Sequence, residues 1–392
     1  MGAKIAFFPV DNGDMTLIRL ADTRVTTLLI DIKIRKAADD PADDTPDVAA
    51  QLRKRLQYDT KGRPFVDVFL LSHPDQDHIS GLKTHFWLGS PEDYPDDQKK
   101  TTEKRIIIKE IWSSPMVFRR HEKTNHVLCQ DAKDFASEVR RRVKKWKENR
   151  WAIDGNRIII LGEDEGNKTD DLQDVLVKTG ETLDKICGTS YSSYFSAVLL
   201  APAPRQEDEL EDKLSKNNSS VIMRMKIFAS QHSANHVKFL SGGDAGVLIW
   251  ERLWEKYKHE PEVLEYDLLQ APHHCSWRSM SYDSWSEKGK DAKVCEGARH
   301  ALSQALDGAT IISSSAKIVD DENDPPCIRA KDEYKSILKP GDGAFLCTGD
   351  DKAGDETELE IQANGKLVRI AVGAAAAGLS VAAAATPRAG KS

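Results

Sequence analysis

The segment 68–82, Val-Phe-Leu-Leu-Ser-His-Pro-Asp-Gln-Asp-His-Ile-Ser-Gly-Leu, constrains this chain more than any other. An apolar strand pattern, Phe65 to Leu71, stops at six residues that carry four metal-ligand side chains: His73, Asp75, Asp77 and His78. Two imidazoles and two carboxylates this close repel one another, or bury unpaired charge, unless a cation sits among them. The strand is a rigid support. The turn after it directs His-x-Asp and Asp-His at two neighbouring cation positions. Gly81 then opens what reads as a helix starting near Ser80.

The composition leaves room for such a scaffold. The 392 residues suffice for one large domain or two ordinary ones, and 40% of them are hydrophobic, enough for a substantial core. A net charge of -7 argues against a uniformly basic nucleic-acid coat and leaves local basic patches open. The six cysteines (Cys129, Cys187, Cys275, Cys295, Cys327, Cys347) include no Cys-x-x-Cys pair. That fits reduced thiols in a cytosolic protein better than a disulfide framework. The start, Met-Gly-Ala-Lys-Ile, runs directly into a strand pattern, so no signal peptide is expected. No stretch is long and apolar enough to span a bilayer. A cytoplasmic protein with no membrane partner is the expectation.

Short strand patterns cover Lys4–Val10, Met15–Leu20, Val25–Ile30, Phe65–Leu71 and Arg105–Trp112. Asp39–Asp47 reads as an acidic loop, Val48–Leu56 as a short helix, and 89–105 as an exposed insertion. Phe135, Val139, Val143 and Trp146 fall on one face of a helix over Asp131–Asn149. Its other face carries Arg140, Arg141, Lys144, Lys145 and Lys147, with Arg119, Arg120 and Arg150 nearby. Such a stripe is either a solvated charged face or a track for a phosphate backbone. Strands are expected at Arg157–Leu161 and Tyr194–Leu200 around a polar insertion, 162–190, with a charged linker at 205–217. Ser219–Phe228 and His236–Leu240 read as adjacent strands, Ala245–Lys258 as a helix, Asp267–Gln270 and Ala309–Ser313 as strands, and Lys331–Leu338 as a helix. Ala344–Thr348, Thr357–Gln362 and Lys366–Ala371 suggest a closing meander. Helices recurring between strands predict an α/β (α+β) protein, an αββα sandwich of two mixed sheets with helices on the outer faces. Residues 1–371 form the expected domain, and the Ala-rich 372–392 a disordered tail.

Two later strand ends carry further ligands. Lys238–Gly246 delivers Asp244 among small residues that permit close approach. Asp267–Ser276 delivers His273 and His274. Each stretch alone reads equally as ordinary turn chemistry. Together with 73–78, in order and each after a strand, they make a metal constellation.

With these motifs in place, the chain resembles the metallo-β-lactamase superfamily, and within it the hydrolase domain of ComEC-type DNA-uptake proteins. The carrying motifs are His73-Pro-Asp75-Gln-Asp77-His78, Gly13-Asp14-Met15, Asn217-Asn218-Ser219-Ser220-Val221, Gly243-Asp244-Ala245 and His273-His274-Cys275-Ser276. The resemblance covers about residues 4–371 with no accompanying membrane channel, which implies a stand-alone relative. The chain departs from the pattern in several places. Ile32-Lys33 replaces a Gly after Leu29-Ile30-Asp31, Cys275 stands where Gly is usual, and Pro325–Cys327 replaces a Gly-His-Pro. A third His for the first site is not identifiable among His85, His121 and His126, since none sits cleanly after a strand.

The resemblance implies a metal-dependent hydrolase with two divalent ions. His73 and Asp75 would hold the first. Asp77, His78 and one of His273 or His274 would hold the second, with Asp244 between them. Of the two histidines, His273 is read as the ligand. His274, with Asp77, is then the group that handles protons or a non-bridging oxygen. Asp75 in place of a His makes the first position harder and shifts the expectation from Zn toward Mn. A phosphodiester, in nucleic acid, is the expected substrate. Ser313-Ser314-Ser315 with Lys317 reads either as a phosphate contact or as an ordinary turn. Hydrolysis of a small ester, amide or lactone, and a metal-stabilised interaction module without turnover, are the alternatives.

Overall fold

The computed structural model describes residues 2–36, 42, 45–122, 126–205, 211, 214, 219–351 and 354–370. Most of the acidic loop 39–47 and of the linker 205–217, the pair Asn217-Asn218 and the tail 372–392 lie outside these residues.

The strand-forming segments pair into two mixed sheets. Among the described residues the first has 11 strands. Its main path runs Leu176–Val177, Arg157–Leu161, Ile106–Ser113, Pro64–Leu70, Thr27–Ile30, Thr16–Arg19, Lys4–Phe7, Thr357–Ile361, Leu367–Ile370. The second has 7, in the order Thr182–Leu183, Phe195–Ala201, Ile222–Phe228, His236–Ser241, Tyr266–Gln270, Ala305–Ser313, Ala344–Cys347. Each sheet combines an antiparallel half with a parallel half. The parallel half of the first runs from Thr27–Ile30 to Leu176–Val177. That of the second runs from His236–Ser241 to Ala344–Cys347. Parallel strands end on a common rim, and there side chains from different strands can converge.

Three apolar layers hold the sheets and helices together. Phe7, Leu28, Val68 and Trp112 of the first sheet face Phe195, Met225, Phe239 and Leu268 of the second. The rings of Phe7 and Phe239 meet edge-on at 6.0 Å. Each such side chain contributes about 1.5–3 kcal/mol on burial, so this seam fixes how the sheets sit on each other. Helices Val48–Arg53 and Gln130–Asn149 cover the outside of the first sheet, with Phe135 against Phe69 at 5.7 Å. Helices Val247–Tyr257, Glu296–Leu302 and Ile328–Leu338 cover the outside of the second through Trp250, Leu253 and Tyr334. This is the αββα sandwich that the alternation of strands and helices predicts.

Three local expectations change. Of the closing meander only the last hairpin forms, Thr357–Ile361 with Leu367–Ile370, while Ala344–Cys347 lies parallel to Ala305–Ser313 in the second sheet. Thr357–Ile361 also pairs with Lys4–Phe7 in the first. A strand pattern encodes burial and says nothing about which sheet supplies the partner. The helix expected near Ser80 begins earlier, at Gln76, so Asp77 and His78 lie on its only turn; a second turn, Leu82–His85, follows Gly81. Helix Pro115–Glu122, which the periodicity did not reveal, follows Ile106–Ser113 directly. The segment 162–190 contributes Leu176–Val177 to one sheet and Thr182–Leu183 to the other. Between 89 and 105 there are two short 3-10 turns, Pro91–Asp93 and Thr101–Glu103. Among the described residues no helix is long and apolar enough to cross a membrane.

Candidate metal centre

Four strand ends meet at the shared rim. Strand Pro64–Leu70 leads into Ser72 and His73, and the helical turn Gln76–Ile79 presents Asp77 and His78. Thr27–Ile30 ends in Asp31, His236–Ser241 leads to Asp244, and Tyr266–Gln270 leads to the histidine pair. Backbone hydrogen bonds tie these loops together: Val221 N donates to Ser72 O (3.0 Å) across the two sheets, and His273 N donates to Gly243 O (2.9 Å) within the second. Gly243 sits in the left-handed region at φ 47, and a Cβ there would lie 2.7 Å from Ser72 Oγ. Only glycine allows that approach. His273, His274 and Cys275 also have positive φ, at 51, 54 and 67. Three consecutive non-glycine residues in this region store strain, which the surrounding packing must hold. This strained turn buries His274 completely, while 15% of the His273 side chain stays exposed.

Candidate ligand atoms gather in three overlapping groups, each within 4.8 Å: Asp77, His78, Asp244 and His274; His73, Asp75 and Asp244; and Asp14, Asp31 and His78. Asp244 belongs to the first two. The structure thus brings together all seven of the predicted residues His73, Asp75, Asp77, His78, Asp244, His273 and His274. It places His274 rather than His273 inside a ligand group; His273 Nε2 lies 3.7 Å from Asp244 Oδ2. His121, from the last turn of Pro115–Glu122, puts Nε2 2.7 Å from Asp75 Oδ1, and its ring centroid is 5.9 Å from that of His73. The His126 ring lies beyond it, tilted, at 5.8 Å, and His85 lies apart, near Arg53, Asp47 and Asp131.

Asp31 and Asp14 belong to the site and were not read as functional from sequence. Asp31 Oδ2 is 2.9 Å from His78 Nδ1, and the Ser72 N–H donates to Asp31 Oδ1 at 2.7 Å. Asp14 Oδ1 is 3.4 Å from His274 Nδ1. A carboxylate behind the far nitrogen of an imidazole fixes the tautomer that leaves the near nitrogen as an electron-pair donor. The available signal was weak: one acid just past an apolar strand, another within Gly13-Asp14-Met15.

The electrostatics of this cluster ask for a cation. Burial alone pushes His78 down, but Asp244 and Asp31 outweigh it and hold the imidazole well above its ordinary value. Burial likewise works against His274, and Asp244, Asp14 and Asp77 raise it to about 10. Burial also raises Asp244, but His78, His273 and His274 hold it well below the carboxylate range. In Asp31 burial wins and the carboxyl is raised. Several buried polar atoms nevertheless make no hydrogen bond: His73 Nε2, His274 Nδ1 and Nε2, and Asp14 Oδ1. Native proteins rarely leave such atoms unsatisfied unless a ligand or ion completes them. A mixed imidazole–carboxylate set of this size fits one or two divalent transition ions. The residues therefore fit the metal that the sequence implied.

No family model matches the sequence, and no curated protein does. Among solved structures the chain is similar to a new diphosphatase from the PhnP family, with a TM-score of 0.32, 10% identity and 88% of each chain covered. At that level of likeness, the chemistry of the site is read from its own geometry.

Proposed function

We propose that this chain is a metal-dependent hydrolase of phosphodiesters, with nucleic acid the first substrate class to test. One observation carries the reading: Asp244 is shared between two ligand groups contributed by separate loops. His73 and Asp75, with His121 against Asp75, would hold one divalent ion, Mn or Zn. Asp77, His78 and His274 would hold the other. Bound there, a pair of divalent ions supplies a water of lowered pKa and stabilises charge on the attacked phosphoryl group. The chain's own residues do the rest. Asp31 orients His78 through its 2.9 Å hydrogen bond, and Asp14 sets a negative charge 3.4 Å from His274 Nδ1. Tight packing around His78 and His274, both fully buried, keeps bulk water away from that side of the cluster. His273, partly exposed beside Asp244, is the remaining histidine that would face a leaving oxygen, although burial holds its imidazole below the ordinary value and favours the neutral ring. This assignment exchanges the roles that the sequence suggested for the two histidines. Phosphodiester chemistry is supported by the carboxylate-rich donor set, which suits harder ions, and by the resemblance.

The test combines metal analysis with hydrolysis of single-stranded DNA and bis-p-nitrophenyl phosphate in Mn²⁺, Mg²⁺ and Zn²⁺, comparing wild type with Asp77→Ala. The expected result is bound metal and phosphodiester cleavage, lost in the variant. Fully metallated wild type that cleaves lactones or nitrocefin but no phosphodiester would instead assign the acyl-hydrolase alternative. Metal without any turnover would leave the interaction module.

A further inference from the structure

A groove of about 900 Å³ opens beside the helix Pro115–Glu122, on the same rim as the metal cluster but outside it. Its inner end is Ser113 and Ser114, where strand Ile106–Ser113 lies next to the strand that delivers His73. Its floor is largely aliphatic: Ala136, Val139 and Val143 of the long helix, Ile160, Leu172, and the ring of Phe118, which stacks on Phe135 at 6.1 Å. Its rim is cationic. Lys133, Arg140 and Lys144 line one bank and Lys168 the other, all exposed. Among the described residues no carboxylate pairs with Lys133, Arg140 or Lys168, and Lys144 reaches Glu148 only at 3.9 Å. The acid on the opposite bank, Asp164, is engaged by Arg119 through two 2.7 Å bonds.

We infer that this groove binds a single-chain amphiphile with an anionic head, an alkyl phosphate or a fatty acid. The chain would lie on the aliphatic floor, and the head would meet the Arg140–Lys144 bank. Charge complementarity selects an anion over a neutral or cationic amphiphile. The floor selects an alkyl chain over a nucleic-acid strand. A strand needs exposed ring faces for its bases, and the floor offers one phenyl ring, already stacked. The size suits a drug-sized or lipid-sized ligand. The inference does not rest on the hydrolytic reading, since none of these residues is assigned to the metal cluster.

The experiment is calorimetric titration of the full chain with dodecyl phosphate, laurate and the neutral dodecyl maltoside, each below its micelle concentration. Saturable one-to-one binding of an anionic probe is expected, strengthening roughly tenfold for every two methylenes added to the chain. Comparison of laurate with the phosphate distinguishes the two head groups. Ala136→Phe, which fills the floor, should weaken all probes. The double variant Arg140→Glu/Lys144→Glu, on exposed positions that leave the core untouched, should weaken the anionic probes by roughly tenfold and spare the maltoside. The absence of saturable binding to wild type, or affinities that neither variant changes, overturns the inference. So does an oligonucleotide that displaces the probe and depends on Arg140 and Lys144 but not on Ala136, for it assigns the groove to nucleic acid. Unfolding midpoints and metal content of each variant verify the fold independently.

Discussion

Two of the places where the molecule buries charge handle it in opposite ways. In the long helix Gln130–Asn149, Arg142 is 1% exposed, yet its guanidinium makes four hydrogen bonds: to Glu138, and to the carbonyls of Ile108, Lys109 and Arg157. Glu138 also accepts from Arg141, and although burial raises its carboxyl, the two arginines outweigh this and lower it. Nothing there calls for a ligand. At the rim, His73, His274 and Asp14 are equally buried and carry atoms that lie against other ligand-type groups without completing a hydrogen bond. Charge completed by the chain's own groups is scaffold. Charge left incomplete in a cluster of ligand-type side chains marks a site. The same contrast revises the basic stripe: Arg141 is spent on Glu138, and the nearby Arg119 and Arg120 on Asp164 and Glu211.

The largest expected effect breaks the rim directly. Asp244→Ala removes the group common to both ligand sets, and phosphodiester cleavage should fall by roughly 10³ or more, about 4 kcal/mol in barrier, with loss of bound metal measured on the same sample. A variant that keeps its metal and its rate removes Asp244 from the centre. Next in size is the scaffold side of the contrast. Arg142→Met leaves Glu138 and three carbonyls short of a buried donor and should cost roughly 3–5 kcal/mol in denaturant unfolding, while metal content per folded molecule stays unchanged. If metal is lost in proportion, the two regions are not independent.

Asp31→Asn should weaken metal binding by about 10–100-fold without unfolding the chain, the size expected when a carboxylate behind a ligand imidazole is lost. Competition with a chelator reads it. The smallest effect concerns a carboxylate between the two extremes. Glu110 is 3% exposed, accepts one bond from Trp112 Nε1 at 2.8 Å, and burial pushes it up to about 6. Its folded value lies above its unfolded one, so the folded state binds more protons between roughly pH 4.5 and 6. The contribution is therefore fully present below pH 4.5 and lost as pH rises through 6, by about 2 kcal/mol. Glu110→Gln should be more stable than wild type at pH 7 and lack that slope; urea midpoints across pH 4–8 decide it.

The sequence was legible where one side chain's chemistry is local. An apolar run broken by His-Pro-Asp-Gln-Asp-His announces both a strand and its cargo, and the strand-and-helix alternation announces the layers. It was less legible where meaning depends on a partner far along the chain. Asp31 reads as a strand-end acid until His78 is seen 2.9 Å away. His121 reads as one of three indistinguishable candidates, with His85 and His126, until a helix of eight residues, too short for a periodic signal, carries it to Asp75. From sequence His273 reads as the ligand, yet it is His274 that joins the ligand group, because only the strained left-handed turn decides which ring points inward.

By itself, then, the order of residues determined the strand ends, the histidines and aspartates of the three ligand turns and the αββα layering, since burial pattern and side-chain chemistry are properties of short segments. Tertiary structure decided which sheet each late strand joined, which histidine joins the ligand group around Asp244, and which cations are spent on internal pairs. Those outcomes depend on distances between segments up to hundreds of residues apart, and only the packed sheets set them.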